Sequence, residues 1–306
     1  MPVNGTDTLQ RFVFERAMVR GELVRLDETW REVRRRRDYP EAVRSSLGEL
    51  TAASVLLAAT LKFEGGALVL QIQGGHPVDL LVVECQANLS VRAMARWDGG
   101  LPALGPHPPL HELAGGGRCA LTIDPGGGLT AYQGIVPLEG RTTAQVLERY
   151  MARSEQIGTL FSLAASDERA AGLLIQRLPE SGGKPTPDAD PDLWNRVGHL
   201  AATLTRAELL ELPGRDILRR LFHDEDLRLF ETMGVRFACR CSRERVAGLI
   251  RMVGVDEVRQ ALLDRDAIEV TCEFCGQRYD VSREEAERAL ADTRGKTPQR
   301  AITDGS

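Results

Sequence analysis

No run in this 306-residue chain approaches the ~20 consecutive apolar residues needed to cross a bilayer, so no membrane-spanning helix is expected. The N-terminus, Met1-Pro-Val-Asn-Gly-Thr-Asp7, has neither a basic n-region nor an apolar h-region. A secretory signal is not expected, and the cytoplasm is the default address. Positive charge is not in excess either. Lys and Arg number 39 against 44 Asp and Glu, a net charge of −5 that argues against a general nucleic-acid binder. The one basic run, Arg34 to Arg37, is flanked by Glu28, Glu32 and Asp38 and reads as a solvated helix face. There is no nucleophile elbow, phosphate loop or dinucleotide fingerprint. The glycine clusters at Gly115–Gly117 and Gly126–Gly128 lack the strand–turn–helix context such motifs require. No catalytic residue is assigned, and an enzyme is not expected. Histidine is scarce: His76, His107, His111, His199 and His223 are scattered and read as surface or core residues, not ligands.

What is present is ordinary globular material, 42% hydrophobic and 27% charged, long enough for two or three domains. Periodicity predicts an α+β fold whose first 178 residues form a mixed domain of sheets and long helices. Asp7 is the expected N-cap of a helix over Asp7–Val19, and Gly21–Leu26 reads as a strand. A long helix is expected over Glu41–Leu61. Strands follow at Ala67–Gln73, Val78–Cys85, Leu89–Trp97, Arg118–Ile123 and Leu129–Val136, with a loop over Gly99–Gly117. A second long helix is expected over Thr143–Ala165, then a strand over Ala171–Leu178.

Pro179 to Pro191 holds four prolines and two glycines in thirteen residues, which makes a hinge. With the charged, helical stretch Asp192–Glu231 it forms a linker over residues 179–232. The stripes Leu193, Val197, Leu200, Leu204 and Ile217, Leu218, Leu221, Phe222 need a partner, so these helices are expected to be docked on something and metastable. Residues 233–290 form a small C-terminal module, helical over Val246–Leu263, and 291–306 a disordered tail.

Four of the six cysteines fall in that module: Cys239 and Cys241 in a CxC pair, Cys272 and Cys275 in a CxxC pair, thirty residues between them. Two such pairs complete a closed four-thiolate site for one Zn2+ per chain. In a reducing compartment they read as metal ligands or redox sensors, not static disulfides. One reading is a zinc staple for a module too short to hold itself together. The other is a sensor. A CxC disulfide is geometrically demanding and readily reduced. Arg236, Arg240, Arg243, Arg245 and Arg278 crowd the ligands and should favour thiolates, the form oxidants attack. Cys85 and Cys119 read as buried structural thiols.

Taken together, Arg20-Gly-Glu-Leu-Val24, Asp38-Tyr-Pro40, Leu47-Gly-Glu49, Ala59-Thr-Leu-Lys-Phe-Glu-Gly65, Tyr132-Gln-Gly-Ile-Val136, Arg153-Ser-Glu-Gln156, Cys239-Arg-Cys-Ser-Arg-Glu-Arg-Val246 and Ile268-Glu-Val-Thr-Cys-Glu-Phe-Cys275 give a chain that resembles the redox-regulated 33 kDa heat-shock chaperone family over nearly its whole length. The last two stretches are the most specific. Departures are modest: Gly158 stands where a proline is expected in relatives, and the hinge is proline-rich. The resemblance implies an ATP-independent holdase, inactive while Cys239, Cys241, Cys272 and Cys275 hold zinc. It implies that peroxide or hypochlorous acid joins Cys272 to Cys275 and Cys239 to Cys241, releases the zinc, unfolds the module and undocks the linker. Client-binding surface is then exposed, and dimers form on activation. The implied partners are unfolding proteins and a second copy, with no nucleic acid and no membrane. Two other classes fit parts of the chain. A zinc-ribbon adaptor for nucleic acid or a protein partner would keep an inert zinc. A thiol–disulfide oxidoreductase using Cys272 and Cys275 would need a βαβ context that Asp264–Thr271 does not offer.

Overall fold

The computed structural model describes residues 6–15, 17–61, 65–98, 101, 104–178, 190–263 and 265–291. Most of the hinge predicted over Pro179–Pro191 and the tail from Asp292 lie outside them, as do parts of the predicted loop over Gly99–Gly117. The chain divides into two compact units, 1–238 and 239–306.

The first unit contains β1 (Thr8–Phe14), β2 (Val19–Leu26), α1 (Glu28–Arg34), α2 (Glu41–Thr60), β3 (Ala67–Gln73), β4 (Val78–Gln86), β5 (Ser90–Trp97), α3 (Leu110–Leu113), β6 (Arg118–Asp124) and β7 (Tyr132–Pro137). It continues through α4 (Thr143–Tyr150), β8 (Thr159–Ala165), β9 (Ala170–Arg177), α5 (Leu193–Ala201), α6 (Arg206–Glu211), α7 (Gly214–Phe222), β10 (Leu227–Leu229), β11 (Met233–Gly234) and β12 (Arg236–Phe237). Two six-stranded sheets result. One runs β10-β1-β2-β9-β8 with β11 also paired to β1, and the other β12-β5-β4-β3-β6-β7, in which β12 joins β5 in parallel.

Helix α2 touches strands of both sheets, and sixteen of its twenty residues are buried. A helix apolar all round belongs inside, which is why alanine, leucine and valine spread over its whole circumference. Gly48 belongs to the same packing: a Cβ there would stand 2.5 Å from the Ala165 Cβ and 3.0 Å from the Trp30 ring. The fold is mixed α and β, as the sequence predicts.

Strand β9 is buried on both faces. Ala170 and Leu174 face the core around α2, while Ala171, Leu173 and Ile175 face α5–α7. Phe12, Phe14, Val19 and Leu23 extend that second face, and Leu193, Val197, Leu209, Ile217, Leu221 and Phe222 cover it. The Phe222 ring lies 5.2 Å from that of Phe14 and 6.2 Å from that of Phe12. Arginines add polar anchors. Arg206 donates to the Glu49 carboxylate, Arg169 to the Leu210 carbonyl and Arg25 to the Leu212 carbonyl, the last two meeting carbonyls that the end of α6 leaves open.

Three predicted elements differ. The helix expected over Asp7–Val19 is strand β1, because Phe12 and Phe14 recur at a spacing of two and β2, β10 and β11 supply partners. Asp7 does cap a helix, but α1: its carboxylate accepts from the backbone amides of Asp27 and Thr29 at 2.6 Å and of Glu28 at 2.9 Å. The helix expected over Thr143–Ala165 ends at Tyr150 in one π turn, Met151–Glu155, after which Gln156 takes a left-handed φ of 56°. Beyond it Thr159, Phe161, Leu163 and Ala165 alternate inward as β8. The helical stretch expected up to Glu231 stops at Phe222, and Leu227–Leu229 instead pairs with β1.

The second unit is built from α8 (Arg243–Val253), α9 (Val255–Ala261), the hairpin β13 (Ala267–Thr271) and β14 (Arg278–Ser282), and α10 (Arg283–Ala291). Among the described residues its buried core is seven: Val246, Ile250, Val258, Leu262, Val281, Ala286 and Ala289. The sequence starts this module at Met233. In the structure residues 233–237 hydrogen-bond to the sheets of the first unit, and the break falls after Ala238.

Candidate metal centre

The hairpin positions one pair of sulfurs. Strands β13 and β14 pair from Ala267↔Ser282 to Thr271↔Arg278, which leaves Cys272–Gln277 as the turn. The turn is closed by the Cys272 amide donating to the Gln277 carbonyl at 2.9 Å and the Gly276 amide to the Cys272 carbonyl at 2.8 Å. Gly276 sits at φ 72°, a conformation that costs glycine little, and the tight return turns both Cys272 and Cys275 inward. The other pair stands directly before α8. The Ser242 hydroxyl accepts from the Arg245 amide and starts the helix, so Cys241 lies next to the partial positive charge of its N-terminus.

Four sulfurs from these two places converge. Cys239 and Cys272 are 3.7 Å apart, Cys241 and Cys275 3.3 Å, and all four lie within 4.8 Å of one another, half-buried. Among the described residues this is the one grouping of three or more metal-ligating side chains. It could hold one metal ion. No histidine joins it: His76 stands near Asp98, His107 near Ser45, His111 near Glu112 and His223 near Asp224, all in the first unit.

The electrostatics depart from the sequence expectation in one respect. Two of the arginines expected to favour thiolates are turned to carboxylates, Arg243 to Glu285 at 3.0 Å and Arg278 to Glu269 at 3.8 Å. Burial pushes the Cys272 and Cys275 thiols up, and neighbouring cysteines add to the rise. Four sulfurs so close repel one another as anions, so four thiolates here would require a cation among them. Cys85 and Cys119 are where the sequence places them, on β4 and β6 and fully buried. Burial pushes both thiols up to about 12.

One participant was not foreseen. The Tyr279 hydroxyl donates to the Cys241 Sγ at 3.1 Å. The contact joins residues 38 apart in sequence, and only the hairpin register, with Tyr279 opposite Val270, brings it about. A tyrosine four residues after a CxxC pair is the only trace it leaves in the sequence.

Residues 7–282 match the family described as Hsp33 protein. The chain is 49% identical to the 33 kDa chaperonin of Chromobacterium violaceum, over 94% of each chain. It is 45% identical to the 33 kDa chaperonin of Methylobacillus flagellatus, over 92% of this chain and 94% of the relative. In fold it is similar to the crystal structure of the heat shock protein 33 homolog of Thermotoga maritima, with a TM-score of 0.76 at 23% identity, covering 94% of this chain and 99% of that one.

Proposed function

The chain belongs to the Hsp33 protein family, whose members are chaperones and not enzymes, and from that premise we propose that it is an ATP-independent holdase switched on by oxidation. In the reduced, inactive form Cys239, Cys241, Cys272 and Cys275 hold one Zn2+. The donor set supports zinc: four soft sulfurs with no oxygen ligand suit it over hard cations. The spacing supports it too. Tetrahedral bonds of ~2.3 Å require sulfurs ~3.8 Å apart; Cys239 and Cys272 are 3.7 Å apart, Cys241 and Cys275 3.3 Å, and all four sulfurs lie within 4.8 Å of one another. When bound, the ion supplies the positive charge that holds the thiolates together.

Oxidation then acts on the residues. In each pair two thiolates give two electrons to one hydrogen peroxide; its O–O bond breaks, both oxygens leave as hydroxide, and an S–S bond forms, Cys272 to Cys275 and Cys239 to Cys241. Disulfide sulfurs carry no charge and cannot hold the metal. A unit with seven core residues then loses ~10 kcal/mol of folding energy and unfolds. The chain leading from α7 to Cys239 is freed, and α5–α7 leave the face of β1, β2 and β9 that they cover. The apolar surfaces exposed on both sides bind unfolding clients. A second copy associates on activation, and the setting is the reducing cytoplasm.

The observation that carries this reading is the convergence of four sulfurs from two distant pairs in a unit with so little core. Its test is to add peroxide to the reduced, zinc-loaded protein and follow zinc release and suppression of client aggregation together. One zinc lost per chain with a parallel rise in aggregation suppression supports the switch. Zinc that stays bound while clients aggregate leaves an inert structural site.

A further inference from the structure

Three sulfurs of the cluster accept from donors of different kinds. Cys272 accepts from the backbone amides of Phe274 and Cys275, and Cys275 from that of Gln277, contacts that any sequence in this turn would provide. Cys241 instead accepts from a side chain, the Tyr279 hydroxyl, at 3.1 Å. Tyr279 is fixed from two directions. Its backbone is registered against Val270 in the hairpin, and its half-buried ring packs on the seven-residue core. The same ring lines a cavity of about 340 Å3 with Arg243, Val246, Ala247 and Val281. The hydroxyl is therefore presented to Cys241 by the fold of this unit.

We propose that Tyr279 is a positioning residue that sets how readily the Cys239–Cys241 pair is oxidised, a proposal that rests on the redox-switch reading. To react, the Cys241 Sγ must give an electron pair to a peroxide oxygen. The S–O bond forms as the O–O bond breaks, and hydroxide leaves. The Cys239 thiolate then attacks that sulfur, forming the disulfide and releasing the second hydroxide. A hydroxyl donated to Sγ opposes both steps. It draws on the lone pair the peroxide needs, and it holds Cys241 toward β14 when the disulfide requires it to turn to Cys239. Oxidation of Cys272 and Cys275 uses neither atom.

Tyr279→Phe removes the hydroxyl and keeps the ring in the core. The experiment treats zinc-loaded wild-type and Tyr279→Phe chains with hydrogen peroxide, quenches by alkylation at early times and counts each oxidised cysteine by mass spectrometry. Zinc affinity is measured in parallel by competition with a chelator in the absence of oxidant. The expected result is an initial oxidation rate of Cys239 and Cys241 raised about fivefold, with that of Cys272 and Cys275 and the zinc affinity unchanged. Equal rates in the two proteins overturn the proposal. So does acceleration of both pairs together with weaker zinc binding, since that marks a merely structural tyrosine. A wild-type chain whose four thiols resist peroxide overturns the switch reading, and this proposal with it.

Discussion

The two units of this chain solve the same folding problem with very different means. Among the described residues the first wraps forty-four buried apolar residues around α2 and sixteen more on the far face of its first sheet, with Trp30, Tyr150 and four phenylalanines among them. The second has seven, none aromatic and three of them valines. Burial at ~25 cal/mol per Å2 keeps the first folded unaided, whereas a core of seven small side chains falls well short of the entropy of ordering about fifty residues. The contrast teaches where sensitivity can be placed. A large core makes a unit indifferent to one bond more or less. A core that falls short leaves the fold to whatever else completes it, which on the proposed reading is the four-sulfur site.

The largest expected effect tests that contrast directly. Stripping zinc with a chelator, or Cys272→Ser, should cost the second unit on the order of 10 kcal/mol and abolish amide protection in residues 239–291, while protection of α2 and β9 persists. Simultaneous loss of both in hydrogen exchange would show that the units are one cooperative body. Next is Phe222→Ala, which removes a ring packed on Phe12 and Phe14 and should cost about 3–5 kcal/mol. The loss should appear as early exchange in α5–α7 and as aggregation suppression without oxidant. An unchanged oxidant requirement would show that the docked helices are not the restraint.

A smaller effect lies inside the robust unit. Burial pushes the Glu22 carboxyl up to about 7, and one of its oxygens has no hydrogen-bond partner. The folded state therefore holds this proton more tightly than the unfolded chain. Its stability is undiminished below about pH 4.5 and falls by up to about 3 kcal/mol as pH rises through 7. Glu22→Gln should flatten that decline in denaturant midpoints measured from pH 5 to 8, and a parallel decline in both proteins would sink the assignment. The smallest effect separates the two kinds of cysteine. Cys85→Ala or Cys119→Ala should leave zinc stoichiometry and peroxide response unchanged, because thiols pushed up to about 12 carry almost no thiolate at neutral pH. A change in zinc released per chain would contradict this.

The cysteine cluster was legible because each of its pairs is a local pattern. CxC and CxxC spacing marks two pairs whose sulfurs could share one ion, and the four sulfurs lie within 4.8 Å of one another. Helix α2 and strands β3 to β6 were legible for the same reason, their periods being carried within each segment. What was not legible depends on distant partners. Phe12 and Phe14 fit a helix or a strand, and only pairing with Gly21 and Val19 on β2 decides for strand. Asp7 reads as the N-cap of its own segment, which is a strand; the amides its carboxylate accepts from lie twenty residues on, at the start of α1. The segment from Thr143 has a helical face throughout α4, and β8 exists only because β9 offers it an edge. Tyr279 belongs to this class: its role follows from hairpin register, which no residue near Cys241 encodes.

The docked helices also set a contest of concentrations. The face of β1, β2 and β9 is covered by α5–α7, which are tied to β9 by the chain itself. A tethered occupant has an effective concentration on the order of millimolar. A free apolar segment of equal intrinsic affinity, present at about micromolar, is outcompeted roughly a thousandfold for as long as the helices retain their fold. Gating that sheet therefore requires no lid and no change in the sheet. It is enough to make the tethered competitor forfeit its shape.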